Sequence, residues 1–314
     1  MDFIIDSKAH KMTVLNFLRH EAGLSGAMLR HLKRVDNGIT VNGAHVTVRH
    51  VLSAGEVLSI KSEDSAPSEN IVATDIKIDI IYEDDDLAVP DKPPFMPTHP
   101  SHGHFDDTVA NALCYRYGKG SAPFVFRPIN RLDRNTSGLL LVARNRMAAA
   151  KLSDSLKSGK ISKEYIAVLK GVLPQSQGVI DTYIKRTEAS IITRRVCVAS
   201  EGGDRALTSY RVLFSNGEYS IVAATPITGR THQLRVHFAH LGAPIVGDDM
   251  YGEVCERIDR HALHASRLTF PHPSDKREMS FTSPIPSDMC ALIKAIFSDS
   301  ECGEIDELIK IKEK

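Results

Sequence analysis

The chain has no long apolar run. No stretch of its 314 residues approaches the ~18 needed to cross a bilayer. Its first residues, Met1-Asp2-Phe3-Ile4-Ile5-Asp6, lack the basic and apolar regions of a signal peptide. A cysteine framework is also missing. Cys114, Cys197, Cys255, Cys290 and Cys302 are scattered, odd in number and form no Cys-x-x-Cys knuckle. These absences lead to the expectation of a reduced, cytoplasmic protein with no membrane association. Net charge is missing too: 39 basic residues balance 39 acidic ones, so any nucleic-acid footprint must come from local clustering. There is no internal repeat, no low-complexity tract and no Gly-rich nucleotide loop; Gly202-Gly203 reads as a hairpin turn.

What is present is ordinary for a globular protein, with 42% apolar and 25% charged residues and room for one large domain or two. Residues 1–61 read as a small separate module. Val14, Leu15, Phe17 and Leu18 have helical spacing, and a second short helix starts near Ser25, a candidate N-cap. Strands 39–41 and 46–48 flank Asn42-Gly43, a strong hairpin signal, and 57–60 is a last strand. Basic residues gather here, among them Arg30, Lys33 and Arg34. Residues 62–74 are polar, contain Pro67 and read as a linker. From 75 to 298 the chain is strand-rich. Candidate strands are 76–81, 124–126, 139–143, 165–169, 179–184, 194–199, 206–214, 219–226 and 267–270; candidate helices are 108–117, 145–158, 230–241 and 286–297. This grouping predicts an α+β domain on a largely antiparallel sheet. Residues 299–314 form an acidic, then basic, tail.

The densest chemical signal is the run Asn130-Arg131-Leu132-Asp133-Arg134-Asn135-Thr136-Ser137-Gly138, placed before the buried-strand run Leu139-Leu140-Leu141-Val142. It holds one carboxylate, Asp133, between two arginines on a loop that ends in a turn. A solvated charged turn is the bland alternative, since structural ion pairs are common. No second carboxylate stands at a recognisable spacing, which weakens a hydrolase reading.

The run resembles the catalytic motif of the RluA-type pseudouridine synthases, His-Arg-Leu-Asp-x-x-Thr-Ser-Gly-Leu, at every fixed position except Asn130, which stands where that family has His. Further segments agree in the family's order. Tyr82 to Val89, followed by Asp91-Lys92-Pro93-Pro94 and then His99-Pro100, is similar to its entry strand and Lys-Pro turn. Lys163-Glu164-Tyr165-Ile166-Ala167-Val168 resembles its Lys-x-Tyr-x-Ala strand. Gly229-Arg230-Thr231-His232-Gln233-Leu234-Arg235-Val236-His237 is similar to its Gly-Arg-Thr-His-Gln segment, and Gly247-Asp248, Tyr251-Gly252 and Leu263-His264-Ala265 complete the set. The resemblance spans roughly residues 75–295. The N-terminal helices with Gly38-Ile39-Thr40-Val41-Asn42-Gly43 resemble, more loosely, the ribosomal-protein-S-four type of RNA-binding module. A small cap packed on the main domain is the alternative for residues 1–61.

The resemblance implies the pseudouridine synthase fold, a long bent sheet with a central cleft, and a redox-neutral isomerisation. The glycosidic bond of uridine breaks, the uracil turns, and it rejoins through carbon five. It implies Asp133 as nucleophile, Tyr165 stacking on the flipped uracil and Arg235 as the active-site arginine. A carboxylate nucleophile must be ionised although buried, which an adjacent guanidinium favours. Arg235 is expected to pair with Asp133, with Arg131 as second choice, and a bidentate contact would fix its aim. Arg131, Arg134, Asn130, Arg230, His232 and Gln233 are expected to contact RNA, and on a helix from 230 to 241 Arg230, Arg235 and His237 to touch its phosphates. Arg30, Lys33 and Arg34 would contact RNA from the N-terminal module. The expected partner is RNA, ribosomal before transfer RNA, with no obligate protein partner, no cofactor and no metal. The histidines His232, His237, His240, His261 and His264 have no cysteine or carboxylate cluster to make a ligand set with them. The rival reading is a non-catalytic RNA-binding or ribosome-assembly protein.

Overall fold

The structure, a computed structural model, describes residues 1–24, 26–61, 68, 71–119 and 123–310. Ser25, the expected N-cap, most of the expected linker and the end of the tail lie outside the described residues.

The first 60 residues build a four-stranded sheet under two short helices. Its elements are β1 (Asp2–Ile4), α1 (Val14–Asn16, continued by a π-turn over Phe17–Glu21), α2 (Gly26–Leu32), β2 (Ile39–Val41), β3 (Ala44–His45) and β4 (Val57–Ile60), in sheet order β1-β4-β2-β3. The Asn42-Gly43 turn joins β2 to β3 with both residues at positive φ (49° and 83°), as a type I′ turn requires. The return strand is therefore Ala44–His45 rather than 46–48. The sequence pattern does not reveal β1, which pairs only with β4. Val14, Leu18, Leu29, Leu32, Leu52 and Leu58 form the core of this unit, and Met147 from the main body completes it.

The main body follows as β5 (Asp79–Glu83), β6 (Leu87–Lys92), α3 (Val109–Tyr117), β7 (Arg127–Pro128), β8 (Ser137–Leu139), β9 (Val142–Ala143), α4 (Arg146–Lys157), β10 (Ser162–Lys170), β11 (Gln177–Arg186), β12 (Arg194–Cys197), β13 (Asp204–Ser215), β14 (Tyr219–Pro226), α5 (Gln233–His240), β15 (Leu263–Pro271), β16 (Glu278–Thr282), α6 (Ser287–Ile296) and α7 (Asp299–Lys310). The strands form one large sheet in the order β12-β11-β13-β14-β10-β15-β8-β6-β9-β7, with β16 on β15 and β5 on β6. All pairings are antiparallel except β15 with β8. This is the α+β, mixed, mostly antiparallel architecture expected.

The apolar run after the Asp133 loop is buried on both faces of the sheet. Leu140 and Val142 join the larger core, while Leu139 and Leu141 join the opposite one with Leu87, Val89 and Phe270. The expected single strand 139–143 is split into β8 and β9, which keep one register against β6: Leu140 N–H donates to Pro90 O (3.0 Å), but Pro90 has no N–H to return the bond. Residues 124–126 are not a strand; Phe124 and Phe126 are core side chains. Residues 71–74 of the expected linker run along α3, where Val72 O accepts from Asn111 Nδ2 (2.7 Å) and Thr74 N–H donates to Asn111 O (3.3 Å). Part of the expected tail is the helix α7.

Candidate active site

The Asp133 loop leads into β8 at the middle of the large sheet, and its backbone is held from outside at Leu132, Arg134 and Asn135. Thr98 Oγ1 donates to Leu132 O (2.9 Å), and Thr136 N–H donates to Asp133 O (3.1 Å). Lys92 Nζ donates to Arg134 O (2.9 Å) as well as to Pro93 O and Met96 O (2.8 Å each). Arg260 donates to Asn135 O (3.0 Å). Lys92 is fully buried, and burial with the nearby Arg260 charge pushes its ammonium down to about 7. Thr136 Oγ1 lies 2.8 Å from His261 Nε2, and Ser137 Oγ lies 3.0 Å from His264 Nδ1. Burial lowers both imidazoles, to about 3 and about 4, so they are neutral. His264 Nε2 faces the Ser283 carbonyl at 3.1 Å, so Nε2 carries the proton and Nδ1 accepts from Ser137. At the end of the loop Gly138 has φ +107°, and a Cβ there would sit 2.3 Å from Ala265 O. Only glycine allows β8 and β15 to approach so closely.

Asn130, the departure from the motif, is 8% exposed, and its Oδ1 accepts Leu141 N–H at 2.8 Å. The donor identifies that atom as oxygen. A histidine would offer Nδ1 at the same covalent distance from the backbone, so the two side chains can make one bond.

Asp133 opens into a cavity of about 330 Å³ and is the one carboxylate that lines it among the described residues. Arg131, Lys163, Arg230 and Arg235 also line it, with Tyr165, His232, Leu234, Leu263 and Leu156 of α4. The volume is that of a small-ligand pocket. The Asp133 side chain is 30% exposed, with Oδ2 3.7 Å from an Arg235 terminal nitrogen and 3.9 Å from His232 Nε2. Tyr165 is buried on β10, opposite Ala224 of β14 and Ala265 of β15, and a register shift lies just before it. Two alanines leave room for its ring, and an irregularity of this kind re-aims a side chain. Burial, followed by the Asp133 charge, raises its phenol above the ordinary value, so it is neutral at physiological pH. Burial lowers the Lys163 ammonium.

His232 sits before α5 in the left-handed region (φ 59°). The Tyr251 hydroxyl accepts Arg194 N–H (2.9 Å) and lies 2.7 Å from His232 Nδ1; with its proton donated to that nitrogen, the other ring nitrogen carries the imidazole proton. Neutral His232 then presents Nε2–H towards Asp133. Burial lowers its pKa, Arg235 adds to this, and the Asp133 charge opposes it.

Several expectations are corrected. Arg235 makes its bidentate contact with Asp248, not Asp133, through Nε and a terminal nitrogen at 2.7 Å each. Asp248 is fully buried; burial alone would raise its pKa, but the Arg235 bonds hold it below the usual carboxylate range. Arg235 and His237 are both buried, so neither is on a phosphate-facing surface. His237 lies 2.9 Å from Thr208 Oγ1 and 3.0 Å from Thr182 Oγ1. Gln233 makes four bonds inside the protein. Its Oε1 accepts from Thr228 Oγ1 (2.7 Å) and Arg230 N–H (3.0 Å), and its Nε2 donates to Leu207 O and Thr208 Oγ1 (2.9 Å each). That uses its side-chain donors and acceptors within the protein, where it shapes the loop. Arg134 points away from the cavity, to Asn135 Oδ1 (3.1 Å) and His104 Nε2 (3.2 Å). Arg30, Lys33 and Arg34 do not line the cavity. The sequence alone assigns no role to Lys92, Lys163, Asp248 or Arg260. All but Arg260 lie inside the motifs quoted above, but a charged residue gives no local sign of burial.

Residues 86–240 match the family described as RNA pseudouridylate synthase. The chain is 38% identical over 274 residues to an uncharacterized RNA pseudouridine synthase of Bacillus subtilis, YjbO, covering 87% of this chain and 96% of that one. It is 34% identical over 280 residues to the ribosomal large subunit pseudouridine synthase D of Pseudomonas aeruginosa, covering 85% and 86%. Among solved structures, human RNA pseudouridylate synthase domain containing 1 superposes with a TM-score of 0.54 at 33% identity, over 66% of this chain and 83% of that one.

Proposed function

The chain belongs to the RNA pseudouridylate synthase family and is an isomerase that converts uridine in RNA to pseudouridine; from that premise we propose ribosomal RNA as its substrate, with Asp133 as nucleophile. The observation that carries the site reading is one carboxylate, Asp133, in a pocket whose walls also hold Arg131, Lys163, Arg230 and Arg235, the buried Tyr165 and apolar side chains. A single carboxylate suffices to attack the uracil ring or the sugar of a flipped nucleotide, and the reaction needs no external group donor. Arg235, 3.7 Å away, is the cation beside the carboxylate. Tyr165 supplies a flat, neutral face for the base, which offsets part of the few kcal/mol that flipping costs. Arg131 and Arg230, at the cavity wall, meet the RNA backbone.

The relatives support this substrate class: the Pseudomonas aeruginosa protein is named for the large ribosomal subunit. The N-terminal unit contributes RNA contacts through Arg30, Lys33 and Arg34. A groove of about 540 Å³ between α2 and α4, with Arg30, His31, Arg146, Asp154 and Lys157 in its walls, supports this for Arg30. The five cysteines form no disulfide, which fits an assignment to the reducing cytoplasm.

A pseudouridine map by carbodiimide labelling and primer extension, in host cells with and without the gene, tests the substrate. Ribosomal sites lost on deletion and restored by wild type are expected. Losses confined to transfer RNA would overturn the ribosomal assignment.

A further inference from the structure

Arg260, just before β15, is a buried cation that does not line the cavity. Its side chain is 0% exposed. Nε and one terminal nitrogen bind the Asp288 carboxylate in the first turn of α6, at 2.6 and 3.0 Å. The other terminal nitrogen lies 3.0 Å from Asn135 O, 3.2 Å from Leu263 O and 3.3 Å from His261 O. The two bonds to Asp288 fix the guanidinium plane and so hold the remaining nitrogen against these carbonyls, the nearest being the one two residues after Asp133. Burial alone would raise the Asp288 carboxyl, but the Arg260 bonds hold it below the usual range.

A buried ion pair is weak evidence of stability, since apolar residues of similar size often serve as well. Here the cation does something an apolar residue cannot: the two N–H groups of its remaining nitrogen are shared among three backbone carbonyls on two segments. One is the catalytic loop and another is the start of β15, whose Ala265 pairs with Gly138. Asn135 lies within the turn closed by Thr136 N–H on Asp133 O, so a shift of its carbonyl moves Asp133.

We propose that Arg260 is a positioning residue for the reaction, holding the Asp133 loop through the Asn135 carbonyl, with Asp288 as the counter-charge that makes α6 part of the apparatus. This rests on the reading of Asp133 as nucleophile. A lysine keeps the charge but has no planar fork, so it cannot bridge Asp288 and Asn135 in the same way. A misplacement of about 1 Å can cost on the order of 10²-fold in rate.

The test is the single-turnover rate and the RNA dissociation constant of full-length Arg260→Lys and Asp288→Asn, with wild type and Asp133→Asn alongside. Asp288→Asn keeps the oxygen that accepts Met289 N–H (2.8 Å) while removing the charge. A rate lower by about 10²-fold in Arg260→Lys and an intermediate loss in Asp288→Asn, with unchanged RNA affinity, are expected. Wild-type rates in both variants overturn the proposal. So does a rate loss matched by equal losses of affinity and melting temperature, which marks a general scaffold residue. If Arg260→Lys does not fold, Asp288→Asn decides by the same split. An inactive wild type would instead refute the functional reading, and an active Asp133→Asn would refute the nucleophile.

Discussion

Arg235 grips Asp248 with two 2.7 Å bonds and leaves its remaining nitrogen 3.7 Å from Asp133. One guanidinium is thus oriented by a fully buried carboxylate and presented to a partly open one. Removing one member of such a buried pair leaves the other uncompensated, at a cost of about 3–5 kcal/mol. Arg235→Ala is therefore expected to lose that much unfolding free energy in denaturant titration, together with activity. Arg235→Lys is expected to retain more stability but not activity, because a point charge cannot hold Asp248 and face Asp133 together. An active, stable Arg235→Ala protein would contradict this.

Asn130 is expected to tolerate histidine. Both residues offer an acceptor to Leu141 N–H at the same reach, so Asn130→His should turn over RNA at close to the wild-type rate. Asn130→Ala leaves that buried N–H unsatisfied, and about 1–3 kcal/mol should be lost in a denaturant titration. Equal stability of Asn130→Ala and wild type would show that the bond matters little.

His264 makes stability depend on pH with a definite sign. Its folded pKa of about 4 lies below the ordinary imidazole value of 6.5, so between those values the unfolded chain binds more protons. The contribution of neutral His264 is complete above pH 6.5 and is lost as pH falls towards 4. The full shift corresponds to on the order of 3 kcal/mol. Unfolding free energies of wild type and His264→Gln across that range should converge as the pH falls. Parallel curves would contradict it.

Arg30 and Lys157 face one groove from two parts of the protein. Reversing either charge should weaken RNA binding. It should also reduce the slope of log affinity against log salt by about 1 for each phosphate no longer neutralised. An unchanged slope in both Arg30→Glu and Lys157→Glu would remove the groove from the RNA footprint.

The Asp133 loop is legible in the sequence because its residues are adjacent in the chain, and the helices 108–117, 145–158 and 286–297 because their apolar spacing is local. The strand Glu278–Thr282 is not legible: it is a short element paired only with β15, and its alternation is weak. Apolar alternation puts the first strand of the main body at 76–81, whereas pairing with β6 puts it at Asp79–Glu83. Gln233 reads as an RNA contact because a polar side chain in a motif does not reveal that Thr228, Leu207 and Thr208 saturate it. Arg260 is silent in the sequence for a related reason: its partners, Asn135 and Asp288, are 125 and 28 residues away.

The most direct test of the central claim is the Asp133→Asn protein under single-turnover conditions on purified ribosomal RNA, with the RNA digested and pseudouridine separated from uridine. The side chain is 30% exposed, so the amide should fold and bind RNA as wild type does. The account predicts pseudouridine from wild type and none from Asp133→Asn at equal RNA occupancy. Wild-type yield from the variant would contradict it.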